Sequence, residues 1–391
     1  MELIPARRPI PPFDPHDVPS DPVLVDRIRA EIVSDGPMSF ARFMELALTD
    51  PEHGYYATSA DRPSRSGDFL TAPELHPIFG WTLARMLEET WRLMDRPSPF
   101  LLREDGAGTG TLALAILDGL ARDGSDLRDA IRYRPRDVNP ARERMALERV
   151  ASAGHGSATD RVELPLAGVS VANEFLDALP VHRVETRDGR LVELLVGLDG
   201  DAFVDVPGEP TTPALAARLA GESIELAEGQ RAEIALGIDA WADGVAAALA
   251  RGLVLVIDYG APATELYDPV RRPWGTLRAY VRQRVHDDPY RHIGRQDLTA
   301  HVDLSAVERA LGGHDFERLG RTTQARFLVG AGLEGLLERV RSDPATDAPA
   351  WLALRSSVAR LLDPRATGGF AVLGMGRGLE PDTAFPGLGP D

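Results

Sequence analysis

The stretch Arg103-Glu-Asp-Gly-Ala-Gly-Thr-Gly-Thr-Leu112 constrains this chain more than any other. The apolar run Phe100-Leu101-Leu102 leads into it, and a good helix former, Leu112 to Asp118, leads out. The glycines therefore fall at a turn between a strand and a helix. Residues without Cβ there let the chain turn sharply and let a ligand approach the backbone. Their spacing, Gly106-x-Gly108-x-Gly110, is not the G-x-G-x-x-G of a nicotinamide site, and a chain with no lysine cannot carry a Walker phosphate loop. The spacing suits the amino-acid end of S-adenosylmethionine, which has no phosphates to neutralise. Its carboxylate can use the helix N-terminus, and its ammonium an acid such as Glu104. An ordinary glycine-rich turn reads the same way, and the motif alone leaves both readings open.

The rest of the chain supplies the elements around this turn. Val25, Ile28 and Ile32 recur at helical spacing, Gly36-Pro37 breaks that helix, and Ser39 caps a second one carrying Phe40, Phe43, Met44, Leu46 and Leu48. Asp50 to Tyr56 reads as a loop. In Gly67-Asp-Phe-Leu-Thr-Ala-Pro-Glu-Leu75, Thr71 and Glu74 have capping-box spacing ahead of an amphipathic helix over Pro77 to Met94. Ile131 to Asn139 should hold a second strand, although Pro135 suits a central strand poorly. A helix rich in Arg and Glu follows from Pro140. The apolar run Val169–Ala172 ends in Asn173-Glu-Phe-Leu-Asp-Ala-Leu-Pro180. Between Val181 and Val206, the hairpin dipeptides Asp188-Gly189 and Asp199-Gly200 separate short apolar strands and predict a β-meander. Leu253-Val-Leu-Val-Ile-Asp258 has the character of a strand buried on both faces. Helices are expected at Leu304–Leu311, Gln324–Gly330, Leu333–Val340 and Trp351–Leu362, and a last strand at Gly369–Gly374. The alternation predicts an α/β sheet wound on both faces, which binds ligands outside the carboxyl ends of its strands. Glu104, Glu174 and Asp258 lie at such ends, and Asp137 is a fourth candidate.

Composition narrows the function. The net charge of -17 argues against a duplex nucleic-acid binder and suits a cationic substrate or partner. With no cysteine there is no thiolate metal site or cysteine nucleophile, and no His/Asp/Glu grouping has metal-site spacing, so no metal is expected. The absence of a signal-peptide core or a bilayer-length apolar run predicts a cytoplasmic protein without membrane insertion. The arginine-rich segment Arg271–Arg295 reads as solvated surface. The oligomeric state is not legible.

Several separated stretches together resemble one family, the MidA-like class I S-adenosylmethionine-dependent methyltransferases. They are Gly54-Tyr55-Tyr56, Gly67-Asp68-Phe69 with Thr71 and Pro73-Glu74, Phe79-Gly80, Glu104-x-Gly106-x-Gly108-x-Gly110, and Ala172-Asn173-Glu174-Phe175 with Asp177 and Pro180. Ile257-Asp258-Tyr259-Gly260, Gly275 to Tyr280, Asp297-Leu-Thr-Ala-His301-Val-Asp303, and Gln324 with Phe327-Leu328 complete the set. The family includes the mitochondrial complex I assembly factor that methylates an arginine of a complex I subunit. The resemblance implies a Rossmann-like class I methyltransferase sheet with an N-terminal helical extension and an inserted β-meander. The expected divisions are an arm at 1–20, the extension with a cofactor-covering loop at 21–98, the methyltransferase domain at 99–378 with an insertion at about 181–250, and a tail at 379–391.

The resemblance implies S-adenosylmethionine as cofactor and a protein with an accessible arginine as substrate. Gly67, Asp68, Thr71, Glu104, Gly106, Gly108, Gly110, Asp137 and Asn173 are the expected cofactor residues, with Asp137 on the ribose hydroxyls. Glu174 would grip the guanidinium, Asp177 would support it, and His301 would accept a proton or a hydrogen bond. Helix capping by Asn173 or Asp177, a bare capping box at Thr71 and a structural His301 are the competing readings. Two departures from the family pattern stand out: Asp105, a charge where the family has an apolar residue, and Asp137-Val-Asn139 at the second strand end. They keep open a cofactor-binding assembly chaperone, beside the further alternative of methyl transfer to a small molecule.

Overall fold

A computed structural model of the chain describes residues 18–58, 71–282, 284–379 and 385–388. The described residues form two compact units: one drawn from 70–175, 241–259 and 308–391, the other from 1–69, 176–240 and 260–307.

The first unit is built on a six-stranded sheet. Its strands in chain order are β1 (Phe100–Asp105), β2 (Ile131–Arg136), β3 (Leu166–Asn173), β4 (Leu249–Asp258), β5 (Glu317–Thr323) and β6 (Ala371–Arg377). They lie in the order β5-β6-β4-β3-β1-β2. β2, β1, β3 and β4 run parallel; β6 runs antiparallel to β4, and β5, antiparallel to β6, shares the direction of the first four. The chain leaves β1 toward β2 on one side and returns to β3 on the other, so the order reverses between β1 and β3, where α/β sheets bind ligands. Every residue of β1 is buried, as expected of a parallel strand covered on both faces. The helices Ile78–Leu93 and Thr111–Arg122 press Phe79, Leu83, Leu87, Ala113, Ile116 and Leu120 into one core with Phe100, Leu102 and Ile131.

Pro135 is tolerated because β2 is an edge strand, with no neighbour demanding the missing N–H. β5 was not legible: Glu317-Arg-Leu-Gly-Arg-Thr-Thr323 is a polar edge strand with few buried residues. Within the stretch expected as a tail, Phe385 and Leu388 are buried in the core. The capping box at Thr71 belongs to a separate short helix, Ala72–Leu75, ahead of the long one.

In the second unit, the N-terminal extension and the meander, expected as separate additions, share a core. The strands Ala202–Gly208, Arg190–Asp199, His182–Arg187 and Arg231–Ile234 form an antiparallel sheet in that order. Met38 and Val196 exchange backbone hydrogen bonds of 3.1 and 2.8 Å. Phe40, Phe43 and Met44 of the helix Phe40–Thr49 pack with Val181 and Val196. Tyr55–Thr58 is a short helix where a loop was expected. The arginine-rich stretch is not bare surface. It holds two strands of a small sheet, Arg278–Val281 and Arg284–His286, and buries Ala279, Val281 and Ile293.

Candidate active site

Three glycines turn the chain at the end of β1. Gly106, Gly108 and Gly110 have φ of 70°, 51° and 77°, left-handed values that other residues adopt at a cost. A Cβ on Gly106 would meet the Phe175 ring at 2.8 Å, whereas a Cβ on Gly108 would find nothing within 4 Å. Gly108 therefore borders open space, with its N–H 3.1 Å from Asp137 Oδ2. The other Asp137 oxygen accepts from Asn139 N at 2.9 Å, and burial raises the pKa of this carboxyl. Asp137 stands at the carboxyl end of β2, where its remaining lone pairs suit hydroxyl donors.

Glu104 behaves differently from the ammonium ligand expected of it. Its side chain is 5% exposed. Oε2 accepts from the Tyr133 hydroxyl at 2.6 Å, and the carboxyl takes a further backbone hydrogen bond from Ala113, in the first turn of the helix Thr111–Arg122. Burial pushes it up to about 8, against the pull of Tyr133. Glu104 thus braces the glycine loop from beneath.

Asp105, the unexpected charge, is paired. Strand alternation turns it to the face opposite Glu104. There Arg103 Nη2 reaches Oδ1 at 2.8 Å, Arg103 Nε lies 3.1 Å from both oxygens, and Ser170 Oγ donates to Oδ2 at 3.2 Å. Arg103 also bonds the carbonyl of Gly244. The departure is a self-contained ion pair, and the objection it raised to cofactor binding and catalysis falls away.

The carboxyl end of β3 carries the most pointed arrangement. Glu174 has φ of 50°, an unfavourable value for a side chain of its size. Its N–H is held by Ile257 O at 2.9 Å. Oε1 accepts from Ala72 N at 2.9 Å and from Asn173 Nδ2 at 3.2 Å. Glu174 Oε2 and Asn173 Oδ1 are buried without a hydrogen-bond partner among the described residues. Each such acceptor costs about 1–3 kcal/mol unless a donor arrives. Burial, with the Asp258 carboxylate nearby, pushes the Glu174 carboxyl up to about 8. Asp258 is itself fixed by the backbone N–H groups of Phe175 and Tyr259, at 3.1 and 2.8 Å. Asn173 spends its side chain on Glu174 and not on a helix cap.

Of the remaining candidates, Asp177 and His301 belong to the second unit and Thr71 to the first. Asp177 is buried in the 3-10 turn Leu176–Ala178, and its carbonyl accepts from Ala300 N at 2.9 Å. Tyr56, not among the candidates, donates to Asp297 Oδ1 at 2.9 Å. His301 is tied at its backbone N–H to Thr276 Oγ1 at 3.0 Å. Burial, then Arg272 and Arg278, push its imidazole down to about 4. Thr71 donates its N–H to Glu74 Oε2 at 3.2 Å within the capping box. Gly67 and Asp68 lie outside the described residues. Among the described residues no group of three or more His, Asp or Glu side chains could hold a metal, and no helix is long and apolar enough to cross a membrane.

The residues at these strand ends fit the expected cofactor. They offer open space beside a glycine, an unmatched Asn173 Oδ1 and the Asp137 carboxyl, which suit an ammonium and ribose hydroxyls. A mostly parallel sheet with one reversed strand beside its last, a glycine loop after its first strand and an acid after its second has the form of a class I methyltransferase fold. The chain belongs to the family described as S-adenosyl-L-methionine-dependent methyltransferases, whose profile matches residues 82–322. This is the family that the motifs implied, and the cofactor is S-adenosylmethionine. The chain is similar to "Protein arginine methyltransferase NDUFAF7 homolog, mitochondrial" of Drosophila melanogaster, at 30% identity over 88% of this chain and 82% of that protein. It is also similar to the Homo sapiens protein arginine methyltransferase NDUFAF7, mitochondrial, at 28% identity over 91% and 83%. Among solved structures it resembles a Burkholderia thailandensis protein bound to S-adenosyl-homocysteine. The TM-score is 0.81 at 36% identity, covering 93% of this chain and 94% of that one. These relatives overturn one expectation: the curated proteins are mitochondrial by name, so the cytoplasmic assignment does not stand.

Proposed function

We propose that this methyltransferase acts on the guanidinium of an arginine side chain in a protein substrate. The observation that carries the reading is Glu174: a buried carboxyl, fixed through Oε1, with Oε2 turned to no donor. A guanidinium is all donor and planar, and a carboxylate that binds it localises its charge away from the attacking nitrogen. Bound S-adenosylmethionine supplies a methyl group on a cationic sulfur, so catalysis is chiefly a matter of positioning. The glycine-loop backbone, Asp137 and Asn173 are the residues we assign to holding it, with Glu104 bracing the loop. Methylation leaves the guanidinium cationic and releases one proton. His301, held near 4, is a weak base at neutral pH, which favours a hydrogen-bonding role for it over proton uptake. The curated relatives named as protein arginine methyltransferases support the choice of acceptor.

The test is transfer of isotopically labelled methyl groups to candidate proteins, beginning with the respiratory complex I subunit that the resemblance implies. Label should appear on arginine and disappear when that arginine is replaced by lysine. Glu174→Gln should lower transfer by about a hundredfold or more, a loss of two charge-assisted contacts in size, while S-adenosylhomocysteine still binds. Label confined to small molecules, or undiminished transfer by Glu174→Gln, refutes the reading.

A further inference from the structure

A cavity of about 290 Å³ opens beside β1 and β2, lined by Leu101 and Arg103 of β1 and by Arg134 and Arg136 of β2. Strand alternation places these side chains on the face opposite Glu104. The cavity is unusually cationic for a chain of net charge -17. Arg161 also lines it and has no carboxylate partner among the described residues. Arg134 is oriented by two carbonyls, Tyr133 O at 2.9 Å and Asp160 O at 2.8 Å, which leave further N–H donors, and its charge unpaired with a carboxylate among the described residues. Burial and the neighbouring Arg161 and Arg132 lower its pKa, a sign of crowded like charges. The single lining carboxylate, Glu143, is engaged by Asp137 N at 3.0 Å and stands 3.7 Å from Arg136 Nη1. Arg103 is neutralised by Asp105. Three arginines therefore face one committed acid, against apolar walls supplied by Leu147 and Leu164.

We propose that this cavity binds a small organic anion with an apolar body, at a site separate from the residues assigned to cofactor and acceptor. The arginines supply forked donors for a phosphate or carboxylate, and the leucines cover a ring or branched chain. The site has a route to the active centre: the carbonyl of Arg136 accepts from Gly106 N at 2.8 Å and from Ala107 N at 3.2 Å, so one residue lines the cavity and pins the glycine loop.

The full chain would be titrated with phenyl phosphate, inorganic phosphate and phenol by calorimetry, with and without saturating S-adenosylhomocysteine. Phenyl phosphate should bind one to one, at least about tenfold more tightly than phosphate, with phenol undetected. Arg161→Ala and Arg134→Ala should each weaken it about fivefold or more without changing the affinity for S-adenosylhomocysteine. Arg161 is an exposed side chain, so its variant remains informative if Arg134→Ala fails to fold. Absence of phenyl phosphate binding, insensitivity to both substitutions, affinity no better than phosphate, or displacement by S-adenosylhomocysteine would each overturn the proposal.

Discussion

Adding one carbon to the glycine loop should separate cofactor binding from folding. Gly108 has φ of 51° and no atom within 4 Å of its virtual Cβ. Alanine there meets only the backbone strain of a left-handed residue, about 1–2 kcal/mol. Gly106 has φ of 70°, and its Cβ would stand 2.8 Å from the Phe175 ring. Alanine there adds overpacking of about 1–3 kcal/mol to the same strain. Gly106→Ala should therefore be the less stable variant. Gly108→Ala should lose roughly 2–8 °C in melting temperature, but its methyl group enters the space where the cofactor approaches. We expect it to weaken S-adenosylhomocysteine binding by at least about tenfold, or about 1.4 kcal/mol. Calorimetric titration and thermal unfolding of both variants measure the two quantities independently. If Gly108→Ala binds within about twofold of the unsubstituted protein, the open space at Gly108 is not the cofactor's and the assignment of the loop is wrong.

Asp105→Ala strands the buried Arg103 cation and should cost about 3–5 kcal/mol in denaturant unfolding. The joint change Arg103→Met with Asp105→Leu should recover most of that loss, and equal losses from both would contradict the ion-pair account. Because Glu174 must be ionised to grip an arginine, and burial holds its carboxyl at about 8, kcat/KM should climb as pH rises to about 8 and then level. With His301 held near 4, no second limb should appear near neutrality. Glu104 has a folded pKa of about 8 against 4.5 for a free glutamate. Its contribution to stability is full below 4.5 and is lost as pH rises through 8. Glu104→Gln should flatten that decline in unfolding free energy between pH 5 and 8, and an unchanged slope would show that Glu104 ionises normally.

Much of this was legible from local chemistry. The glycine loop, the buried strand Leu253–Asp258 and the meander announced themselves through turn residues and runs of apolar side chains, signals that depend only on neighbours in the chain. Glu174 was legible as an acid at a strand end, but what distinguishes it, one oxygen fixed by Ala72 and the other unmatched, depends on a contact between residues 102 positions apart. What holds Glu104 could not be read, because its partner Tyr133 arrives from the next strand. Asp105 looked like a defect only while it was read alone. Its neutralising Arg103 is two residues away and would have been found by asking which side chains share its face of the strand. β5 escaped notice because an edge strand needs little apolar surface, and its sequence records its solvent side.

An open sheet ends in two rows of backbone groups that another chain could extend. β2 answers with Pro135, which has no N–H to offer, set among Arg132, Arg134 and Arg136. β5 answers with Glu317, Arg318 and Arg321 and with a slip in register between Arg318 and Gly320. Charge, proline and irregularity are the devices by which sheets resist polymerising edge to edge. The proline that made β2 a poor strand on paper is thus a safeguard, and replacing it with valine would trade a better strand for an aggregating one.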